Sequence, residues 1–301
     1  MLFSSTNTSP GRAANLDGCT DTQAAPDELI RVMDRAHGLD ISGFDPSFLV
    51  RSLERRLQTI GCVSAENYLA ERLAKDPLEA EAFHRSLRVG YSAFFRNPLT
   101  FALLETQALP DLAENARKTG RSGLRVWSAG CAAGQEAWSV AMLLDELAVS
   151  PDRHTPWRVF GTDLCEPDLA LARAGVYAAA ELGNVCLRHL DTCFTRQGDG
   201  FAVTERLRER VEFTVYDLLD TGNSCPPASI FGDFDLVLCC NVLFYYRPAQ
   251  QCRILEKLLG CLTPGGYLVT GETERRIAKS VANLREVTSP APVFQKRRGN
   301  P

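Results

Sequence analysis

Residues 127–136 have the sequence WSAGCAAGQE and follow the residues LRV at positions 124–126. The next segment, AWSVAMLLD at 137–145, has apolar residues at helical spacing. This pattern predicts a buried strand, a turn of small residues and then a helix. Small residues in such a turn let the backbone approach a ligand closely, and the N–H groups at the helix N-terminus point towards that ligand. The stretch is typical of the first βα unit of a nucleotide-type binding fold.

Strand and helix patterns alternate from Leu124 onwards, which predicts an α/β fold with a doubly wound sheet. The predicted strands cover residues 124–129, 157–162, 211–216, 234–240 and 267–270, and the predicted helices cover 135–147, 166–174 and 250–262. Residues 177–210 interrupt the alternation. Their Gly198-Asp199-Gly200 turn lies between two short apolar runs, which predicts a β-hairpin inserted as a small β-subdomain. An ordinary connecting loop is the alternative.

Three regions are predicted along the chain. Residues 1–26 are rich in Ser, Thr, Asn, Ala and Gly and predict a disordered tail. Residues 27–89 have helical periodicity, with a helix that begins at Asp45-Pro46 and is stopped by Gly61. Further helices are predicted over 65–75 and 78–89. Residues 90–301 form the α/β domain with its insertion at about 177–210.

The composition excludes several classes of protein. The 301 residues are 45% hydrophobic and 23% charged, and the net charge of -4 gives no reason to expect a nucleic-acid partner. No apolar run approaches the roughly 20 residues of a membrane span, so no direct membrane insertion is expected. The start lacks a signal-peptide pattern, and the 11 cysteines include no C-x-x-C pair. We therefore expect free thiols in a cytoplasmic protein, and no metal site.

Chemistry-bearing residues follow the predicted strands, whose carboxyl ends form the ligand site of an open α/β sheet. Gly130 to Gly134 follow the first strand, Asp163 ends the second, and Asn241-Val242 follow the fourth. Each has an ordinary alternative explanation: a tight turn, a helix cap, or a loop residue. Their joint order matches the class I S-adenosylmethionine methyltransferases better than the dinucleotide dehydrogenases, because G-x-G-x-x-G is absent.

Five segments resemble one family within that class. They are AFFR at 93–96, WSAGCAAGQE at 127–136, TD at 162–163, NVLFY at 241–245 and PGG at 264–266. Together they are similar to the chemoreceptor glutamate methyltransferases of the CheR family, from the helical region to about Glu274. The resemblance implies a Rossmann-like class I methyltransferase domain with an N-terminal helical domain and an inserted β-subdomain. It also implies S-adenosylmethionine as cofactor and the methyl esterification of receptor glutamates in bacterial chemosensory signalling.

The resemblance assigns roles to individual residues. Arg96 and Tyr245 are expected to be catalytic, and Asp163 is expected to hold the cofactor ribose. The full set of expected cofactor-binding residues is Gly90, Ser92, Arg96, Gly130, Glu136, Asp163, Asp217, Leu218, Asn241 and Val242. A glutamate side chain, whose ordinary pKa is about 4.3, is already ionised at neutral pH and needs no general base. The enzyme must supply alignment and a dry site, and Arg96 can hold a carboxylate. A salt bridge that supports the interdomain linker is the alternative role of Arg96.

Departures from the family pattern keep other functions open. Gly90 and Ser92 stand where Asn and Thr are usual, Cys240 stands in place of an Arg, and Gln135 and Glu272 replace a Glu and a His. The alternatives are a methyltransferase of a small carboxylic acid, or a catalytically impaired cofactor-sensing module.

The expected protein partner is the cytoplasmic helical bundle of a chemoreceptor. Arg51, Arg55 and Arg56 occupy the helix that matches the docking helix of relatives, although Glu54 interrupts them. A solvated charged face is the alternative. Because the predicted hairpin is short, we expect no dependence on a C-terminal pentapeptide tether of the receptor.

Overall fold

The computed structural model describes residues 25–149, 155–229 and 232–298. The described residues divide into two compact units, one made of residues up to Ser42 together with Pro46–His84, and one made of Gly43–Asp45 together with the residues from Arg85 onwards. The predicted tail over 1–26 lies outside the described residues except for its last two positions, where the first helix begins.

The first unit is helical. It contains α1 (Ala25–His37), α2 (Pro46–Ile60), the short α3 (Ala65–Asn67), and most of α4 (Pro77–Ser86). The helix predicted over 65–75 changes after α3 into a π-helical segment, Tyr68–Leu73. The side chains of Leu29, Met33 and Phe83 are completely buried and form part of the core of this unit.

A buried ion pair joins α2 to α4. The Arg56 guanidinium donates two hydrogen bonds of 2.7 Å to Glu79, and the Tyr68 hydroxyl donates a third of 2.7 Å. Glu79 is 5% exposed, and its hydrogen bonds with Arg56 hold its pKa below the ordinary value. Arg56 therefore has an anionic partner inside the unit, and its expected role in receptor docking stays a prediction. Arg51 and Arg55 are exposed.

The second unit contains a seven-stranded sheet of order β6-β2-β1-β7-β8-β10-β9. Its strands are β1 (Leu124–Ala129), β2 (Trp157–Asp163), β6 (Val211–Val215), β7 (Phe234–Cys239), β8 (Leu262–Thr270), β9 (Leu284–Glu286) and β10 (Val293–Lys296). The pairs between β6 and β8 are parallel, whereas β10 is antiparallel to both of its neighbours. All five predicted strands are present. Strand β8 begins at Leu262, earlier than the predicted strand over 267–270, and includes the PGG residues at 264–266. Strands β9 and β10 were not predicted.

Helices cover both faces of this sheet, so the predicted doubly wound α/β class is confirmed. They are α5 (Pro98–Leu103), α6 (Leu109–Thr119), α7 (Gln135–Val149), α8 (Glu166–Ala174), α9 (Leu187–Cys193), α10 (Glu205–Arg208), α11 (Pro248–Cys261) and α12 (Arg275–Lys279). Successive residues of β1 alternate between two cores. Val126 packs in the core that contains residues of α6 and α7, and Trp127 packs in the core that contains residues of α11.

The insertion is a small antiparallel sheet of order β3-β5-β4. Strands β4 (Phe194–Gln197) and β5 (Gly200–Val203) form the predicted hairpin, and β3 (Val176–Ala178) adds a third strand that was not predicted. Tyr177 and Phe194 of this sheet pack edge-on against Phe94, at 4.9 and 5.7 Å between ring centroids. The insertion therefore packs against the FFR segment, residues 94–96, which precedes the larger sheet in the chain.

None of the helices in the described ranges has the length and apolar character that a membrane crossing requires.

Candidate active site

The turn after β1 brings the backbone close to the turn after β7. Gly130 has φ of +78°, and a Cβ placed on it would lie 2.5 Å from Cγ2 of Val242. Its N–H donates a 2.7 Å hydrogen bond to the Thr162 carbonyl at the end of β2. Only glycine combines this left-handed conformation with such a close approach. The three strand ends thus meet around one point, as the sequence predicts.

Asp163, the last residue of β2, has a carboxylate that the backbone holds in place. One oxygen accepts a 2.9 Å hydrogen bond from the Ala132 N–H, and the other accepts a 2.9 Å hydrogen bond from the Cys165 N–H. Each carboxylate oxygen can accept more than one hydrogen bond. The side chain is therefore oriented and still able to bind ligand hydroxyls.

Glu274 shapes the turn after β7. Its fully buried carboxylate accepts hydrogen bonds from the N–H groups of Asn241 and Gly271, both at 2.8 Å, and of Leu243, at 2.6 Å. Asn241 has φ of +62°, a left-handed conformation that Asn tolerates better than most residues. Burial raises the pKa of Glu274, and the backbone donors oppose that rise. The sequence did not predict this residue as part of the site.

Phe95, the second phenylalanine of the FFR segment, is held through both its backbone N–H and its ring. The Phe95 N–H donates a 3.0 Å hydrogen bond to Ser139 Oγ on α7, and the Phe95 ring stacks on His189 at 5.4 Å. Arg96 is exposed, and its guanidinium lies 5.0 Å from the ring centroid of Tyr91. Within the described part of the chain, Arg96 forms no ion pair, so the linker salt bridge considered above is not seen there.

Two cavities of about 220 Å³ each lie at this edge of the sheet. The first contains, among others, Gly90, Asp163, Leu218, Val242 and Tyr245 in its lining. The second contains Ser92, Glu136 and Glu272. Both cavities share Tyr91, Arg96, Gly130, Cys240 and Asn241. Arg96 is therefore the cation at the boundary between the two compartments.

Glu136 is the partly buried acid of the second cavity. It accepts a 2.7 Å hydrogen bond from Ser128 Oγ, and the Cys240 thiol lies near its carboxylate. Burial raises the pKa of Glu136, with the charge of Glu274 adding to the rise and the charge of Arg96 opposing it. A cationic ligand group placed beside this carboxylate would relieve the cost of its burial.

The structure brings together all but one of the residues expected at the site. Arg96, Tyr245, Gly90, Ser92, Gly130, Glu136, Asp163, Leu218, Asn241 and Val242 each line at least one of the two cavities. Asp217 is the exception, since neither lining contains it. Its carboxylate instead accepts a 2.8 Å hydrogen bond from the Leu219 N–H, a local turn contact that sequence position alone does not reveal.

Several lining residues were not predicted. Phe44 stacks on Tyr246 at 5.2 Å between ring centroids, and both rings line the first cavity. Asp168 also lines it, and a Cβ on Gly90 would collide with its carboxylate. The sequence did contain a signal for Asp168, because it is an acid in the first turn of the helix that follows Asp163. The position of Phe44, about 200 residues from Tyr246 in sequence, offered none.

Three departures from the family pattern line the second cavity: Ser92, Cys240 and Glu272. The Glu272 carboxylate accepts a 2.8 Å hydrogen bond from Nδ2 of Asn97, the residue after Arg96. Cys240 lines both cavities, and its thiol lies near the Glu136 carboxylate. Both of these replacements thus participate in the site.

Comparison with known proteins identifies the fold and the cofactor. Residues 91–291, about two thirds of the chain, match the family described as "CheR methyltransferase, SAM binding domain". The chain belongs to the CheR methyltransferase family. The family resemblance and the cofactor expected from the sequence, S-adenosylmethionine, are therefore confirmed.

Curated relatives agree with this assignment. The chemotaxis protein methyltransferases of Salmonella typhimurium and Escherichia coli are each 33% identical over 245 residues, covering 79% of this chain and 78% and 79% of those proteins. An uncharacterized 104.1 kDa protein of Rhodobacter capsulatus is 30% identical over 246 residues, which cover 82% of this chain. The chain spans only a quarter of the length of that larger protein.

The cavities fit the cofactor of this family. Asp163 offers fixed acceptor oxygens for ribose hydroxyls, Gly130 and Val242 line the first cavity in close contact, and Glu136 offers a partly buried carboxylate for an ammonium group. When bound, S-adenosylmethionine supplies an electrophilic methyl group on a sulfonium.

Proposed function

We propose that this CheR-family methyltransferase forms methyl esters on glutamate side chains of chemoreceptors in a bacterial chemosensory system. The observation that carries the proposal is the pair of cavities that meet at Arg96. The first cavity contains Asp163, the acid expected to hold the cofactor ribose. The other is a separate compartment in which a second reactant can approach, and the arginine at their boundary suits a carboxylate.

In this proposal the first cavity holds the adenosine part of the cofactor. Asp163 binds the ribose hydroxyls, and Leu218 and the aromatic pair Phe44 and Tyr246 contact apolar surface of the ligand. Asp168 occupies the space that Gly90 leaves and supplies a polar group there. Glu136 faces the ammonium of the amino-acid part from the second cavity.

The acceptor carboxylate needs to be held and does not need to be deprotonated. Arg96 binds one oxygen of the incoming glutamate, which leaves the other oxygen free to attack the methyl group. Tyr245 lines the first cavity beside the strand end and orients the reactants through its hydroxyl or its ring face. Among the described residues, no histidine lines either cavity, in agreement with a reaction that requires no general base.

We further propose that the described helical unit is the receptor-docking domain and that Arg51 and Arg55 contact acidic groups of the receptor helical bundle. Both are exposed on α2, where their guanidinium groups donate to Ser47 Oγ at 3.3 Å and Ser52 Oγ at 2.9 Å. Since these serine bonds carry no opposite charge, an acidic partner can replace them. Arg56 is not included in this proposed surface because Glu79 binds it.

We propose that the enzyme does not depend on a C-terminal pentapeptide of the receptor bound at the three-stranded insertion. The β4–β5 hairpin turns over two residues, which leaves little loop surface for a peptide. Measurable binding of a receptor C-terminal peptide to the purified protein would overturn this part of the proposal. We propose that the reaction takes place in the cytoplasm, where receptor helical bundles lie.

The decisive experiment is transfer of labelled methyl from S-adenosylmethionine to the cytoplasmic domains of the host's own chemoreceptors. We expect label that is released as volatile methanol by base, as a methyl ester requires. The label should be lost with Arg96→Ala and retained with Arg276→Ala, an exposed arginine on α12 that lines neither cavity. Cofactor binding without label on any receptor would overturn the proposal and favour a small-acid methyltransferase or a sensing module.

A further inference from the structure

A second group of reactive side chains lies behind the FFR segment, outside both cavities. Cys186, the residue before α9, is exposed, and its Sγ lies 3.3 Å from Nδ1 of His189. Nε2 of the same imidazole lies 3.0 Å from the Glu146 carboxylate on α7. Thiol, imidazole and carboxylate are therefore connected in series.

The two contacts of the His189 ring determine which of its nitrogens carries the hydrogen. A carboxylate only accepts hydrogen bonds, so Nε2 of neutral His189 carries the hydrogen and donates it to Glu146. Nδ1 is then free to accept the proton of the Cys186 thiol. The other oxygen of Glu146 is paired with the Arg188 guanidinium, which keeps the carboxylate turned towards the ring. A base held by an orienting third group is the arrangement that activates a nucleophile.

The same histidine contacts the active-site segment. The His189 ring is almost entirely buried and stacks on Phe95 with an interplanar angle of 4°. Phe95 precedes Arg96 and has φ of +46°, a conformation that a non-glycine residue adopts only when its surroundings hold it. A displacement of the His189 ring would therefore move Phe95, the residue before Arg96, which lines both cavities.

We infer that Cys186 is a thiol-modification site that reacts with small disulfides and weakens cofactor binding through the His189–Phe95 stack. In the reaction, the Cys186 sulfur gives its proton to His189 and attacks one sulfur of the disulfide. A new S–S bond forms, the old S–S bond breaks, and the departing thiolate takes the proton back from His189. Thiol and disulfide thus become mixed disulfide and thiol, with no other reactant.

The chain contains a matched control for this reactivity. Cys252 on α11 is also exposed, but in the described ranges no histidine or carboxylate is hydrogen-bonded to it. The buried thiols of Cys131 and Cys239 are shielded from any reagent. Comparing Cys186 with Cys252 therefore isolates the effect of the imidazole at similar access.

The test exposes the full-length protein to glutathione disulfide and follows each adduct by peptide mass. We expect Cys186 to be modified on the order of tenfold faster than Cys252. His189→Gln and Glu146→Gln should each slow modification of Cys186 and leave that of Cys252 unchanged. Glu146→Gln keeps the His189 ring, and the absence of adducts at the buried Cys131 and Cys239 in the same sample shows that the fold is intact. Equal rates at the two thiols, or a Cys186 rate that neither variant changes, would overturn the inference.

A second measurement tests the link to the site without using methyl transfer. The affinity for S-adenosylhomocysteine should fall by about fivefold or more after modification. It should not change in Cys186→Ser treated in the same way. An unchanged affinity of the modified wild-type protein would overturn the proposed link.

Discussion

The two cavities hold their principal acids in different ways. Asp163 in the first cavity is fixed by two backbone N–H donors, whereas Glu136 in the second is partly buried and accepts its hydrogen bond from the Ser128 side chain. A carboxylate fixed by the backbone presents its free lone pairs in a constant direction, which suits neutral hydroxyls. A buried carboxylate without a cation has a raised pKa, which suits a ligand that brings a positive charge. Arg96 belongs to both cavities and should matter to both.

The largest effect is expected at that shared residue. Arg96→Ala should lower kcat/KM for receptor methylation on the order of a hundredfold, because the acceptor carboxylate loses its positioning cation. Arg96→Lys should recover only part of the rate, since an ammonium cannot reproduce the planar guanidinium. Steady-state kinetics with a receptor cytoplasmic domain would measure both. An Arg96→Ala enzyme with wild-type kinetics would show that the boundary cation is not catalytic.

The next effect is expected at the backbone-fixed acid. Asp163→Ala should weaken the binding of S-adenosylhomocysteine by about tenfold to a hundredfold, the value of one or two hydrogen bonds to a charged group. Calorimetric titration would measure the loss. The variant also removes the acceptor for the Ala132 and Cys165 N–H groups, so circular dichroism must first show a folded protein. Unchanged affinity in a folded variant would remove Asp163 from the cofactor site.

A pH dependence should distinguish the second acid from the first. Burial raises the pKa of Glu136, so in the free enzyme this carboxyl gains a proton at a higher pH than an ordinary glutamate. The cofactor ammonium favours the ionised form, and affinity should therefore fall as pH decreases through the raised pKa. Glu136→Gln should bind about tenfold more weakly at neutral pH and lose most of this pH dependence. A pH profile that is identical in the two proteins would contradict the assignment.

The smallest effect is expected at the rim of the second cavity. Glu272→Gln keeps an acceptor for Asn97 but removes a negative charge near the site of the incoming carboxylate. We expect KM for the receptor to fall by about twofold to threefold with kcat unchanged, because a like charge is removed at an exposed position. Higher salt should reduce the difference. A rise in KM would mean that Glu272 contacts a basic group of the substrate.

The sequence was most informative where backbone geometry dictates residue type. The glycine turn, Asp163 and the Asn241-Val242 pair follow strand ends, and strand ends of a parallel sheet converge. It was least informative where distant segments meet. The contacts of Phe44 with Tyr246 and of Glu274 with the Asn241 N–H depend on tertiary packing that no local pattern contains. The ion pair of Arg56 was missed for the same reason, since Glu79 lies 23 residues away on another helix.

The position of Glu274 in the chain has a consequence for biosynthesis. Every residue that lines the first cavity has been made once the ribosome passes Tyr246. A nascent chain of that length still lacks the carboxylate that holds the turn at Asn241 and Leu243. It also lacks β8, against which β7 pairs. The cofactor pocket is therefore complete only after the strand that supports it and the residue that holds its turn have both been synthesised.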